Sequence, residues 1–211
     1  MKKQTMGSGV IVTLFCSFLL FSGCTEQNDS ESIQTILEKA TAIPSVYYEL
    51  GISTVITDWI EESTEMKIWE KAPYLKQEIR IITGDIIIPR SIIKRPEGIY
   101  HYNEEQQAYV LDPQFVISQP TIIETVTDLL QNQTLTTLGT ESIDGLPTTV
   151  IQYTSRQNGN STTTTLWIWN EKGVPLKAHS ILENGEITET VDTKYINYSF
   201  SDIPESVFSV E

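Results

Sequence analysis

The sequence predicts a mainly β, α+β fold: a strongly curved antiparallel sheet with two amphipathic helices laid across one face. Three observations predict it. Most of the chain after residue 45 alternates apolar and polar residues with a period of two, tight-turn signals separate these stretches, and only two segments keep apolar residues at helical spacing. Two short helices cannot bury their apolar stripes on each other alone, so they need the sheet as a partner.

Residues 32–42 carry Ile33, Ile36, Leu37 and Ala40 at helical spacing, and Pro44 ends the pattern, so a helix opens the domain. Val46, Tyr48, Leu50, Ile52, Thr54 and Ile56 then share one face of a long strand, while Leu75, Ile79 and Ile81 alternate against Lys76, Glu78 and Arg80 in another. Alternation of this kind means one buried face and one wet. Further strands are predicted at 65–71, 98–103, 108–111, 135–143, 148–155, 162–170, 176–183 and 186–200. Asn184-Gly185 and Asp144-Gly145 are two-residue hairpin signals, and Glu171-Lys172-Gly173 offers a Gly for the left-handed position of a longer loop. Consecutive hairpins give an antiparallel meander. A second helix interrupts it at 120–132, where Ile122, Ile123, Val126, Leu129 and Leu130 line one side after Pro120 and Thr121.

The N-terminus reads as a cleavable signal peptide over residues 1–23: Lys2 and Lys3, an apolar run over 10–21, then Ser22-Gly23. The run is too short for a comfortable membrane span. Cys24 follows Phe21-Ser22-Gly23, an arrangement similar to a lipobox with Phe where Leu is usual. A thiol at that place can take up a diacylglyceryl group. The expectation is therefore a lipoprotein anchored through Cys24 to the outer face of the cell membrane, with a plain signal peptide and a chance Cys as the alternative. Cys16, the other cysteine, lies in the leader, so the mature chain has no disulfide. Residues 24–31 form a polar tether of roughly 25 Å at full stretch, and residues 32–211 one domain.

Removing the leader leaves 12 basic against 28 acidic residues, a net charge of −16. Such a chain repels nucleic acid and anionic headgroups. Asn28, Asn132, Asn160 and Asn197 head Asn-x-Ser/Thr sequons, which fit a glycosylated extracytoplasmic chain and arise equally by composition in a Ser/Thr-rich sequence.

No catalytic, nucleotide-binding or metal-binding motif stands in the sequence, so neither an enzyme, nor a metal, nor a cofactor is expected. His101 and His179 sit in strand patterns without a carboxylate at ligand spacing and read as structural or surface residues. Glu61-Glu62 and Glu104-Glu105 read as solvated turn charges. Residues 162–170 are apolar on both sides, with Leu166 and Ile168 opposing Trp167 and Trp169. One face belongs to the core, and the other is either covered by a neighbouring element or lines a ligand cavity.

Several phrases, in order, resemble the lipoprotein-carrier and lipoprotein-sorting family. They are Trp69-Glu70-Lys71-Ala72-Pro73-Tyr74-Leu75-Lys76, Gly98-Ile99-Tyr100-His101-Tyr102-Asn103 leading to Tyr109-Val110-Leu111-Asp112, and Gly139-Thr140-Glu141 with Asp144-Gly145-Leu146-Pro147. Leu166-Trp167-Ile168-Trp169 with Gly173-Val174-Pro175-Leu176-Lys177 follows, and then the ending from Tyr198-Ser199-Phe200 through Ile203-Pro204 to Phe208. The run from Gly84 to Arg90 departs from the pattern by lengthening a connection, and Lys76 stands where many relatives carry Arg. The resemblance implies a half-open barrel closed by helices as a lid over an apolar cavity. It also implies an acylated ligand, a lipid or lipoprotein, in lipid or lipoprotein trafficking.

Periodicity then selects Val46, Tyr48, Leu50, Ile52, Ile56, Leu75, Ile79 and Ile81 as the candidate cavity wall, and Ile122, Ile123, Val126 and Leu130 as the candidate lid. The alternative is an envelope sensor or interaction module that keeps the fold and binds a protein partner.

Overall fold

The computed structural model describes residues 31–211 apart from 57–59, 118–119, 132–133, 158 and 186. The predicted leader, Cys24, residues 24–30 of the tether, Asn28, Asn132 and Trp59 lie outside the described residues. Among those described, no helix is long and apolar enough to cross a membrane.

The first helix, α1 (Ile33–Thr41), starts where Ser32 caps it, its Oγ accepting from the Thr35 N–H at 3.2 Å. Six strands follow: β1 (Val46–Ile56), β2 (Ile60–Lys71), β3 (Tyr74–Thr83), β4 (Ile86–Arg95), β5 (Gly98–Asn103) and β6 (Ala108–Leu111). Helix α2 (Ile122–Gln131) separates them from β7 (Thr136–Ile143), β8 (Leu146–Gln157), β9 (Asn160–Trp169), β10 (Pro175–Asn184) and β11 (Ile187–Ser199), and a 3-10 turn (Glu205–Phe208) ends the chain.

All eleven strands make one antiparallel sheet in the order β6-β5-β4-β3-β2-β1-β11-β10-β9-β8-β7. It is two meanders, β1 to β6 and β7 to β11, joined along β1 and β11, with β6 and β7 as free edges. The sheet does not close on itself.

Cross-strand register fixes which residues share a face. Tyr48 stands opposite Ile68, Ile68 opposite Gln77, and Gln77 opposite Ile92; one row on, Leu50 stands opposite Met66, Met66 opposite Ile79, and Ile79 opposite Arg90. Both helices lie on this inner face. Ile36, Leu37 and Ala40 of α1 and Ile122, Val126 and Leu129 of α2 form one core with Val46, Tyr48, Leu50, Met66, Ile68, Leu75, Ile151, Leu166 and Ile168. On the outer face the C-terminal turn packs Phe208 and Ile203 against Ile93, Trp69 and Tyr74.

The structure corrects four readings. Residues 84–90, read as a lengthened connection, are mostly strand β4. It was obscured by Ile86, Ile87 and Ile88, which break the alternation, and by Pro89. β5 pairs only residues 92–95 of β4, so the stretch around Pro89 is locally an edge, where proline is tolerated. Glu61 and Glu62 lie inside β2, because β1 zips with β2 as far as Ile56 opposite Ile60.

Both histidines have carboxylate neighbours contributed across the sheet. Asp192, directly opposite His179, meets its Nδ1 at 2.9 Å, and Asp112 lies 3.9 Å from His101 Nδ1. Finally, α2 begins at Ile122, after a capping box: the Glu124 N–H donates to Thr121 Oγ1 (3.2 Å) and the Thr121 N–H to Glu124 Oε2 (2.9 Å).

Trp167 and Trp169 are covered by neighbouring side chains. Trp167 donates to Glu141 Oε2 at 2.7 Å beneath the Lys177 ammonium, 4.4 Å from its ring, and Trp169 packs beside Phe200, their ring centroids 6.1 Å apart.

Candidate functional site

The inner face changes character along the strands. At the helix end it is closed, and Tyr48 is the pivot of that end. Its ring stacks on Tyr198 (5.8 Å) and approaches Tyr195 (6.4 Å), and its hydroxyl accepts from the Ile122 N–H at 3.3 Å, tying the first turn of α2 to β1. Tyr198 donates to the Pro175 carbonyl at 2.6 Å. Burial pushes the Tyr48 and Tyr198 phenols well up, and Tyr195 to about 12, so all three remain neutral.

Glu70 sits beside Tyr48 under the same helix end. Burial pushes its carboxyl up to about 6; the Thr121 hydroxyl pulls it down, Glu124 pushes it up, and the Ile123 and Ile122 N–H groups pull it down. Its Oε2 has no hydrogen-bond partner among the described residues. The sign of the linkage follows. The folded state holds the Glu70 proton more tightly than the unfolded chain, so this group adds stability at low pH that is lost as pH rises from the ordinary carboxylate range through about 6.

Glu49 acts oppositely. The Tyr47 hydroxyl, first, and the Asn197 amide donate to its carboxylate and hold it below the usual range, so its contribution is lost on acidification. Glu70→Gln isolates the first effect. It is expected to raise the thermal midpoint at pH 7.5 and to flatten the stability profile between pH 5 and 7, by about 1–2 kcal/mol. Parallel pH profiles for parent and variant would refute that assignment.

Beyond the closed end a cavity of about 1430 Å³ opens over the β1 to β6 half of the sheet. Its inner-face lining is Leu50, Met66, Ile79, Ile88, Ile92 and Phe115 with two basic side chains, Arg90 and His101, and Lys94 follows on the same face of β4 at the smaller cavity. A smaller cavity of about 340 Å³ lies between Leu75, Lys94, Ile99, Phe115, Ile117 and Glu124. The β8 to β11 half is more polar on the same face, where Thr164 and Ser180 share a hydrogen bond of 3.0 Å. Among the described residues no group of three or more His, Cys, Asp or Glu is placed to hold a metal ion.

The predicted wall residues divide between these zones. Leu50 and Ile79 line the large cavity, and Leu75 lines the small one. Val46 and Tyr48 are fully buried under the helices, Ile52 packs half-buried against that core, and Ile56 and Ile81 lie half-buried toward the far rim. Of the predicted helix residues, Ile122 and Val126 are buried on the sheet, and Ile123 and Leu130 are half-buried. Asn160 begins β9, and Asn197, exposed at a bulge with φ 56°, donates to Glu49 Oε2 at 3.0 Å. Met66, Ile88, Ile92, Phe115 and Arg90 were absent from the predicted wall. Met66 and Ile68 alternate within a predicted strand and were legible; Ile88, Arg90 and Ile92 fell with the missed β4.

No family model and no curated protein matches the chain, whereas solved structures do. LprF from Mycobacterium bovis is 15% identical, covering 79% of this chain and 92% of its own, with a TM-score of 0.47. NE2245 from Nitrosomonas europaea is 16% identical over 84% of this chain and 97% of its own, with a TM-score of 0.42. It is a LolA superfamily protein. The lipoprotein LppX from Mycobacterium tuberculosis is 16% identical over 79% of this chain and 94% of its own, with a TM-score of 0.45.

Proposed function

We propose that this chain is an extracytoplasmic lipoprotein, held at the outer face of the cell membrane by Cys24. In this reading its half-open barrel binds an acylated ligand, a lipid or lipoprotein, in lipid or lipoprotein trafficking. The supporting observation is the cavity of about 1430 Å³, walled by Leu50, Met66, Ile79, Ile88 and Ile92, beside the core on which α1 and α2 pack. Covering about 15 methylenes of an acyl chain is worth ~12 kcal/mol before opposing costs. Binding of that kind requires no nucleophile, metal or cofactor, and catalysis forms no part of the reading.

The purified chain is expected to take up a fluorescent fatty acid at micromolar concentration. Ile79→Glu, which puts a carboxylate into the middle of the apolar wall, is expected to abolish that uptake. No uptake by the parent chain would sink the reading. Lipid extraction and mass spectrometry of protein from its native membrane would report both the modification of Cys24 and any passenger.

A second reading, an envelope sensor or protein-interaction module, is favoured by one observation. β7 is a free edge strand of eight residues, exposed along nearly its whole length, with Leu138 half exposed. Such an edge can receive a partner's strand. Thr140→Pro would remove binding of such a partner and leave fatty-acid uptake intact.

A further inference from the structure

Arg90 occupies an unusual place on the inner face. Register puts it in one row with Leu50, Met66 and Ile79, and along β4 it stands between Ile88 and Ile92. A guanidinium therefore ends a row of apolar side chains. It lies within the stretch of β4 that β5 leaves unpaired and is open to solvent at the flank of the cavity.

The chain carries twice as many acids as bases, yet among the described residues none is set against this guanidinium. Arg80 pairs with Glu65 at 2.6 Å and Arg95 with Glu97 at 2.7 Å, whereas Arg90 makes no ion pair or hydrogen bond with another described residue. The other acids bordering the cavity do not serve it. Glu49, Glu65 and Glu78 belong by register to the outer face, Glu104 stands in the exposed β5–β6 turn, and Asp112 lies toward His101.

We propose that Arg90 is the anion-binding residue of this cavity. The ligand it selects is an acyl amphiphile with a carboxylate or phosphate head, its chain along Leu50, Met66, Ile79 and Ile92. The proposal rests on reading the cavity as an acyl-chain site and adds the headgroup class. The chemistry suits the residue: a guanidinium presents a planar fork that meets a carboxylate or phosphate through two parallel N–H···O bonds. It is also weakly hydrated for a cation, so lying against isoleucines costs it less than it would cost an ammonium. An anion held this way would enter a strongly acidic protein only at a point where positive charge is locally unopposed.

The test displaces a bound fluorescent fatty acid from the full chain with three twelve-carbon ligands: dodecanoate, dodecyl phosphate and the neutral dodecanol. One or both anions are expected to bind at least tenfold tighter than dodecanol, and which of them does so identifies the head as carboxylate or phosphate. Arg90→Gln is expected to erase that preference without weakening dodecanol, and Arg90→Lys to retain part of it. Because Arg90 makes no ion pair or hydrogen bond with another described residue, the thermal midpoint of Arg90→Gln is expected to match the parent and serves as the folding control. Dodecanol binding as tightly as both anions, unchanged by Arg90→Gln, would overturn the proposal and leave the acyl-chain reading standing. If neither the fluorescent fatty acid nor dodecanol binds, the acyl-chain reading itself falls, and the headgroup assignment with it.

Discussion

Gly173→Ala is expected to destabilise the protein by about 2–5 kcal/mol and to loosen α1 from the sheet. Gly173 closes the β9–β10 turn at φ +74°, a conformation that costs an L-residue about 1–2 kcal/mol. Space makes matters worse. A Cβ there would sit 2.2 Å from the Ile36 carbonyl oxygen and 3.0 Å from the Ala40 nitrogen, both backbone atoms of α1 that no rotamer change can move aside. The turn and the helix must separate. Separation exposes Ile36, Leu37 and Ala40, and it strains the bond from Lys39 Nζ to the Asn170 carbonyl, 2.7 Å long. Gly185→Ala is the matched control: it has φ +61° with nothing within 4 Å of the added carbon, so it carries the backbone cost alone. Urea denaturation of the two variants measures the difference, and equal midpoints would remove the claim that α1 is seated on this turn.

Val126→Asp is expected to release α2. Val126 is fully buried on the sheet side of the helix, in one core with Tyr48 and Ile168. A carboxylate at that point would be an unpaired charge in an apolar site, a loss of about 3–5 kcal/mol. Undocking ten residues of helix relieves it more cheaply than unfolding eleven strands, so the response is local. The amides of α2 are expected to exchange rapidly with solvent while those of β1 and β2 stay protected, and a dye for exposed apolar surface is expected to bind. α2 amides as protected as in the parent would contradict the expectation that the helix undocks locally.

Period-two alternation and hairpin dipeptides carried most of the fold. They work where one face is buried and one is wet, as along β1 and β3, and where a turn needs positive φ, as at Asp144-Gly145 and Gly185. They failed at β4, because a strand apolar on both faces and carrying a proline has neither alternation nor an ordinary strand composition. The same failure hid Arg90, whose position on the inner face is set by pairing with Ile79 on another strand. The histidine–carboxylate neighbours were equally invisible, since His179 meets Asp192 across a ladder. The cavity wall was half legible for a related reason. Alternation reports that Val46 and Leu50 share a face, but whether a position on that face lies under a helix or beside open space depends on where α1 and α2 stop.

The pairing of β1 with β11 has a consequence for the order of assembly. Each meander is a series of hairpins between chain neighbours, the kind of contact that forms early because little loop entropy is lost. Joining them requires the strand beginning at Val46 to meet the strand ending at Ser199, nearly the whole domain later. Until that ladder zips, the molecule is two half-sheets with four bare edges in place of two, and the core residues Tyr48 and Tyr198 have not yet met. The interval between the arrival of the first strand and the last is therefore when the chain is most exposed to pairing with the wrong neighbour.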